Sequence, residues 1–276
     1  MTAEGATAAS ETAADGAERH IGLIGYGAAG RACAVLLLAD ARYRLTVLTR
    51  SPLEEDLPER LTAVTSLEAL LAAGPQIIVE AASAEAFSSM VPECLRAGID
   101  VVAASIGALQ SPETGDAVVA ACREGHSHLV LPSGAVGGLD YLAAAALSGD
   151  IAVTYTSRKP PAAWTAELAE AGLAEEARAR EVTLFEGSAP EAARLYPRNL
   201  NAGLTVALAA GIERTRVRVV ADPSVTTNTH EIAVTGAAGD AFLRFANKPS
   251  PDNPKTSMIT ALSLASAVQR RFDPMQ

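Results

Sequence analysis

The stretch TTNTHEIAV (226–234) sets one histidine, His230, among polar and β-branched residues. An unperturbed imidazole titrates at about 6.5, so this side chain suits proton transfer near neutral pH without a large shift. Nine residues leave two readings open: a catalytic base, or a strand histidine satisfied by hydrogen bonds. His126 and His128 stand two apart at an expected strand entry, an arrangement that can serve a metal. No third ligand follows at a suggestive spacing, so no metal is expected. Cys33, Cys94 and Cys122 are far apart and form no zinc-like or redox pair; they read as small core residues in a reducing compartment.

The other chemistry-bearing pattern is IGLIGYGAAG (21–30), an apolar strand running into G-x-G-x-x-G and then a helix. Gly25 permits the tight turn, Gly27 lets backbone approach a pyrophosphate, and Gly30 allows close helix–strand contact. Ala28 and Ala29 open the helix whose free N–H groups meet the phosphates. The competing reading is a glycine-rich turn kept for packing. About 20 residues on, where an acid would hold the ribose of NAD, the next strand ends instead in Thr49, Arg50 and Ser51. A guanidinium there suits a 2′-phosphate. NADP is therefore expected to be accepted alongside NAD, with Arg50 and Ser51 as its readers; the alternatives are a solvated Arg50 and a ribose contact from Glu54 or Glu55.

The chain that must position these groups has 276 residues, 49% of them hydrophobic, enough for one large domain or two ordinary ones. A net charge of −10 and a pI near 4.9 argue against a nucleic-acid binder and fit a soluble cytoplasmic protein. A site for an anion then has to be local, built from a few cations within an acidic exterior. No apolar run is long enough to span a bilayer. Residues 1–18, small and acidic with no basic start or apolar block, read as a disordered tail rather than a signal peptide.

From residue 20, expected strands at 21–25, 44–49, 76–83, 100–105 and 128–134 alternate with helical segments at 28–39, 66–73, 84–97 and 112–124. That rhythm predicts βαβ units and a doubly wound parallel sheet, a Rossmann domain over 19–132. Beyond it, strands at 151–158, 181–187, 215–222, 229–236 and 241–247 suggest an antiparallel sheet, with helices at 138–148, 162–180 and 200–212. The fold class is thus α/β with a second α+β domain over 133–254. The amphipathic stretch 255–271 is expected to pack back on the first domain.

Four further stretches crowd polar groups where a core would not want them: LPSGAVGGLD (131–140), SRKPP (157–161), YPRNLNAGLTVALA (196–209) and NKPSPDNPKTS (247–257). With NTHEIAV and the DP at 222–223, they resemble the L-aspartate dehydrogenase family over about residues 20–270. The resemblance implies an NAD(P)-dependent oxidoreductase that takes a hydride and the amino group from L-aspartate, giving iminoaspartate, or oxaloacetate and ammonia after hydrolysis. It also implies a homodimer joined through the second domain, and a possible supply of imine to quinolinate and NAD synthesis. His230 takes the place of the family's active-site histidine. Ala135 and Asn201 take the places of cofactor contacts, with Asn199 a neighbouring candidate. Two positions depart from the pattern: Ala29, where a larger aliphatic residue is common, and Pro190 in GSAPEAAR, where Arg is usual.

A dicarboxylate substrate calls for cations, and Arg158, Lys159 and Lys255 are available, with Ser133, Asn253 and Thr256 as neutral donors. Lys159 reads equally well as a solvent-facing partner of Arg158. Pro160, Pro161 and Pro254 restrict the loops around them, and Asp140 caps or orients a helix start. Two alternatives stand beside this function: a related Rossmann reductase of another small dicarboxylate or imine, and a module that senses NADP(H) without turnover.

Overall fold

The computed structural model describes residues 17–54, 56–196, 201–250 and 256–273. Strand β1 (Arg19–Ile24) enters helix α1 (Ala28–Leu38) through the glycine turn. There follow β2 (Tyr43–Leu48), β3 (Leu61–Val64), α2 (Leu67–Ala72), β4 (Ile77–Glu80), α3 (Ala84–Arg96), β5 (Asp100–Ala103), α4 (Pro112–Gly125) and β6 (Leu129–Val130). The six strands form one sheet in the order β3-β2-β1-β4-β5-β6, with every neighbouring pair parallel. Serine side chains fix three helix starts: Ser66, Ser83 and Ser111 accept the N–H groups of Ala69, Ala86 and Thr114.

Helices cover both faces of this sheet, which is why its central strands are apolar almost throughout. On one face, α1 lies beside the last helix, α10 (Ile259–Phe272), whose Leu264 and Val268 share a core with Leu23, Leu37 and Val79. On the other, Phe87, Val91 and Leu95 of α3 pack against Ile78 and Val101. The strand order reverses direction between β1 and β4, opening a crevice above their C-terminal ends.

The remaining elements are α5 (Leu139–Ala146), β7 (Ala152–Lys159), α6 (Thr165–Glu170), α7 (Ala174–Ala179), β8 (Val182–Ser188), α8 (Ala189–Leu195), α9 (Asn201–Ala210), β9 (Thr215–Ala221), β10 (Asn228–Thr235) and β11 (Ala241–Asn247). They build a second sheet in the order β11-β10-β7-β9-β8. One of its faces is core, with Val153, Tyr155, Val217 and Ile232 against Leu142, Trp164 and Val206. The opposite face carries ion pairs among Arg158, Glu231 and Arg244.

The structure departs from the sequence expectations in several places. The second sheet is mixed, not antiparallel, because the long crossover carrying β8 and four helices lets β9 run parallel to β7. The expected helix at 162–180 is two short ones, parted at Gly172, whose φ of 70° ends α6 in the left-handed region. Strand β3 was not expected. Pro190 sits in the first turn of α8, behind a capping box between Ser188 and Glu191. His126 is on no strand; it caps α4 with φ 51°, and the side chain of His128 is 79% exposed. Cys33 and Cys94 are buried, their thiols pushed up to about 12 by desolvation, while Cys122 is half-buried. No helix among the described residues is long and apolar enough to cross a membrane. Residues 1–16 of the expected tail lie outside the described residues.

Candidate active site

Two adjoining cavities lie between the C-terminal ends of the parallel strands and the polar end of the second sheet's core face. The inner one, about 120 Å³, is lined by Ala104, Ala135, Lys159, Asn201, His230 and Thr256, among others. The outer one, about 360 Å³, adds Gly27, Ala28, Ala29, Ala82 and Ser105, and shares Ala104, Asn201 and Thr256 with the first.

His230 enters the inner cavity from β10. In the antiparallel register with β7 it pairs with Ser157, so Tyr155, Ser157 and Lys159 lie on the same face of the sheet as its ring. The imidazole is buried, 4% exposed, and its Nδ1 lies 2.7 Å from the Tyr155 hydroxyl. Its Nε2 is buried and has no hydrogen-bond partner among the described residues. Desolvation first, and then the nearby charge of Lys159, lower its pKa to about 3. The near-neutral titration expected of this residue is therefore corrected: burial keeps the ring neutral.

The expected substrate role of Arg158 is corrected too. Adjacent strand residues point to opposite faces, and Arg158 points away from the cavity into three carboxylates. It pairs with Glu181, with Asp222 at 2.8 Å and with Glu231 at 3.2 Å. Lys159 is the strand cation that lines the cavity, 3% exposed, its ammonium 5.0 Å from the centre of the Trp164 ring. Among the described residues, Lys159 is thus the cation that this cleft of an acidic protein buries.

The glycine turn fits a dinucleotide. Gly25 has φ 94°, and a Cβ there would stand 2.7 Å from that of Ala82. A Cβ on Gly30 would meet the Gly25 carbonyl oxygen at 2.2 Å, so α1 starts in direct contact with the turn. A Cβ on Gly27 meets nothing within 4 Å; it would project into open space at the outer cavity, where a pyrophosphate needs room. Arg50 and Ser51 are exposed just beyond β2, and the Ser51 carbonyl is fixed by the Thr49 hydroxyl at 2.8 Å.

Of the other expected residues, Thr256 lines both cavities, and Ala135 lines the inner one while its carbonyl accepts from Asn247 at 2.7 Å. Asn201 accepts from Gly107 N–H at 3.1 Å and donates to the Ala104 carbonyl at 3.2 Å, tying α9 to the loop after β5. The Ser133 hydroxyl lies 3.1 Å from that of Ser263 on α10, and only its neighbours Pro132, Gly134 and Ala135 line the cavity; its expected substrate contact is corrected to a loop anchor. Asn199, Lys255, Asn253, Pro254 and Glu55 lie outside the described residues. Two participants were missed. Tyr155 is legible in hindsight from its i, i+4 spacing to Lys159 on one strand face. Glu80 is fully buried at the end of β4 and accepts N–H groups from Ala82 at 2.8 Å and Ser105 at 2.9 Å, which holds together the two loops flooring the cavities. Burial raises its pKa against those hydrogen bonds. Among the described residues, no cluster of three His, Cys, Asp or Glu is placed to hold a metal.

Residues 140–271 match the family described as aspartate dehydrogenase, C-terminal, and residues 25–132 the homoserine dehydrogenase NAD-binding domain. The chain is 42% identical over 260 residues to L-aspartate dehydrogenase 2 of Bordetella bronchiseptica, covering 92% of this chain and 97% of that protein. It is 43% identical over 206 residues to L-aspartate dehydrogenase of Methanosarcina acetivorans, covering 74% and 76%. The crystal structure of aspartate dehydrogenase from Thermotoga maritima shares the fold, with a TM-score of 0.70 at 22% identity over 92% of this chain and 95% of that one. With both halves matched and the identity sustained across the cleft they form, this chain belongs to the aspartate dehydrogenase family.

Proposed function

We propose that this protein oxidises L-aspartate at Cα with a pyridine dinucleotide, giving iminoaspartate and, after hydrolysis, oxaloacetate and ammonia. The observation that carries this reading is a buried imidazole, His230, that lines a small cavity together with a buried lysine, Lys159, at the inner end of the glycine-turn crevice, its Nε2 without a hydrogen-bond partner among the described residues.

Lys159 and the Thr256 hydroxyl meet a substrate carboxylate, the lysine supplying the charge. Burial is the larger cause of the lowered imidazole pKa; a substrate carboxylate offsets the smaller one, the charge of Lys159, and so shifts the ring towards accepting a proton. His230 Nε2 then takes a proton from the substrate ammonium, freeing the nitrogen lone pair that forms the C=N bond as hydride leaves Cα. When bound, the nicotinamide accepts that hydride at C4. Once that proton has passed to solvent, the neutral ring accepts another from the water that adds to the imine, and in the reverse direction it returns a proton to nitrogen. The small cavity limits access of bulk water to these steps.

The gap left by an acid at the end of β2, and the exposed Arg50 there, support use of NADP as well as NAD, with Arg50 and Ser51 against the 2′-phosphate. Family membership supports a cytoplasmic homodimer that releases imine to pyridine-nucleotide synthesis. The test is a panel of L-amino acids with NAD+ or NADP+ at alkaline pH, followed by absorbance of the reduced cofactor. Reduction with L-aspartate alone is expected, and Arg50→Ala should weaken NADP+ while leaving NAD+ unchanged. Dinucleotide binding without turnover on any amino acid would favour a sensing module; turnover on another dicarboxylate alone would favour a different substrate.

A further inference from the structure

Tyr155 is fully buried, and its hydroxyl lies 2.7 Å from His230 Nδ1, with the two rings stacked at 5.9 Å and 24°. The contact is fixed by register: Ile232 pairs with Tyr155 and His230 with Ser157, which sets the phenol diagonally beneath the imidazole. We propose that Tyr155 is a positioning residue that holds His230 in one tautomer, its proton on Nδ1 and donated to the phenol oxygen, so that the Nε2 lone pair faces the cleft. This rests on the reading of His230 as the proton acceptor.

Three observations select that tautomer. Nε2 is buried without a partner, and an orphaned buried N–H is rarer and costlier than an unused lone pair. The ammonium of Lys159 lines the same cavity, repelling an N–H directed into it and favouring a lone pair. The phenol, once it accepts from Nδ1, needs somewhere to place its own hydrogen. The buried Ser157 hydroxyl is on the same strand face, near enough to bear on the phenol's titration, and makes no hydrogen bond among the described residues, to the phenol or elsewhere, so its lone pairs are open to that hydrogen. Burial keeps the phenol protonated, well above its ordinary titration range.

The arrangement has a consequence for a reversible reaction. When Nε2 gains a proton, the Nδ1–H···O bond is already made and becomes charge-assisted, so the ring need not turn. A phenol, unlike a carboxylate, adds no fixed negative charge, so the imidazolium gives its proton back readily in the reductive direction.

The test is nitrogen NMR on 15N-histidine-labelled protein. The chain has four histidines, and a His230→Ala difference spectrum assigns the signal. The wild type is expected to show a protonated Nδ1 and a pyridine-type Nε2. Tyr155→Phe keeps the ring volume, and is expected to shift His230 towards the Nε2–H form and to lower kcat by about tenfold to a hundredfold, with both KM values within about threefold. A wild-type signal from Nε2–H, or a Tyr155→Phe protein with unchanged tautomer and unchanged kcat, overturns the proposal. Full turnover in His230→Ala would instead sink the proton-acceptor reading, which the spectrum does not depend on.

Discussion

Lys159 and His230 stand on neighbouring strands with their side chains on one face of the second sheet, and the ammonium helps burial hold the imidazole neutral. Arg158, one residue away in sequence, serves the opposite face. Removing the two cations should therefore have different effects. Lys159→Met is expected to raise the KM for L-aspartate at least about tenfold, the worth of one charge-assisted contact of about 1.5 kcal/mol, with dinucleotide affinity unchanged. Arg158→Met leaves three carboxylates facing one another and is expected to lower the melting temperature with little change in KM. Steady-state kinetics and thermal unfolding separate the two.

The buried imidazole makes stability depend on pH. Burial and the charge of Lys159 hold His230 at about 3 in the folded chain, against about 6.5 for a free imidazole, so between those values the unfolded chain binds a proton that the folded one does not. Its contribution is fully present above about 6.5 and is lost as the pH falls towards 3, by at most about 1.4 kcal/mol per unit. His230→Gln should remove this slope. Denaturant unfolding at two pH values, one on each side of 6, is expected to show the wild type losing about 1 kcal/mol more than the variant on acidification.

The glycine turn offers a contrast between packing and binding. Gly30→Ala drives a methyl into the Gly25 carbonyl and is expected to cost about 1–3 kcal/mol of stability. Gly27→Ala places its methyl in open space, so the fold should be kept while dinucleotide affinity drops at least about tenfold, about 1.4 kcal/mol. Calorimetry of unfolding and fluorescence titration with NADH or NADPH read the two effects.

Asn201 bridges Gly107 and Ala104 with both ends of its amide. Asn201→Ala removes two exposed hydrogen bonds, each worth about 1 kcal/mol at most, and is expected to weaken cofactor binding about threefold to tenfold. A titration against the wild type checks it.

Much of this was legible in the sequence because the residues carry their own backbone or chemical constraint. Gly25 needs a positive φ and Gly30 a missing Cβ, and no other residue serves either place. His230 stood out for its polar surroundings, and Thr256 and Asn201 for motifs dense in groups that a core rejects. Arg158 and Lys159 could not be told apart, because neighbouring strand residues face opposite ways and the side that meets the cleft is settled only when the sheet packs. The direction of β9 against β7 is likewise absent from strand composition. The neutral state of His230 needs both burial and a charge brought in from another strand, and neither is local to TTNTHEIAV.

The most direct measurement is made on His230→Ala, comparing dinucleotide affinity with L-aspartate-dependent cofactor reduction in the same preparation. The expected result is unchanged dinucleotide binding and turnover lowered at least about a hundredfold, the smallest usual contribution of a general base. Turnover within about threefold of the wild type would contradict a role for this imidazole in the chemistry.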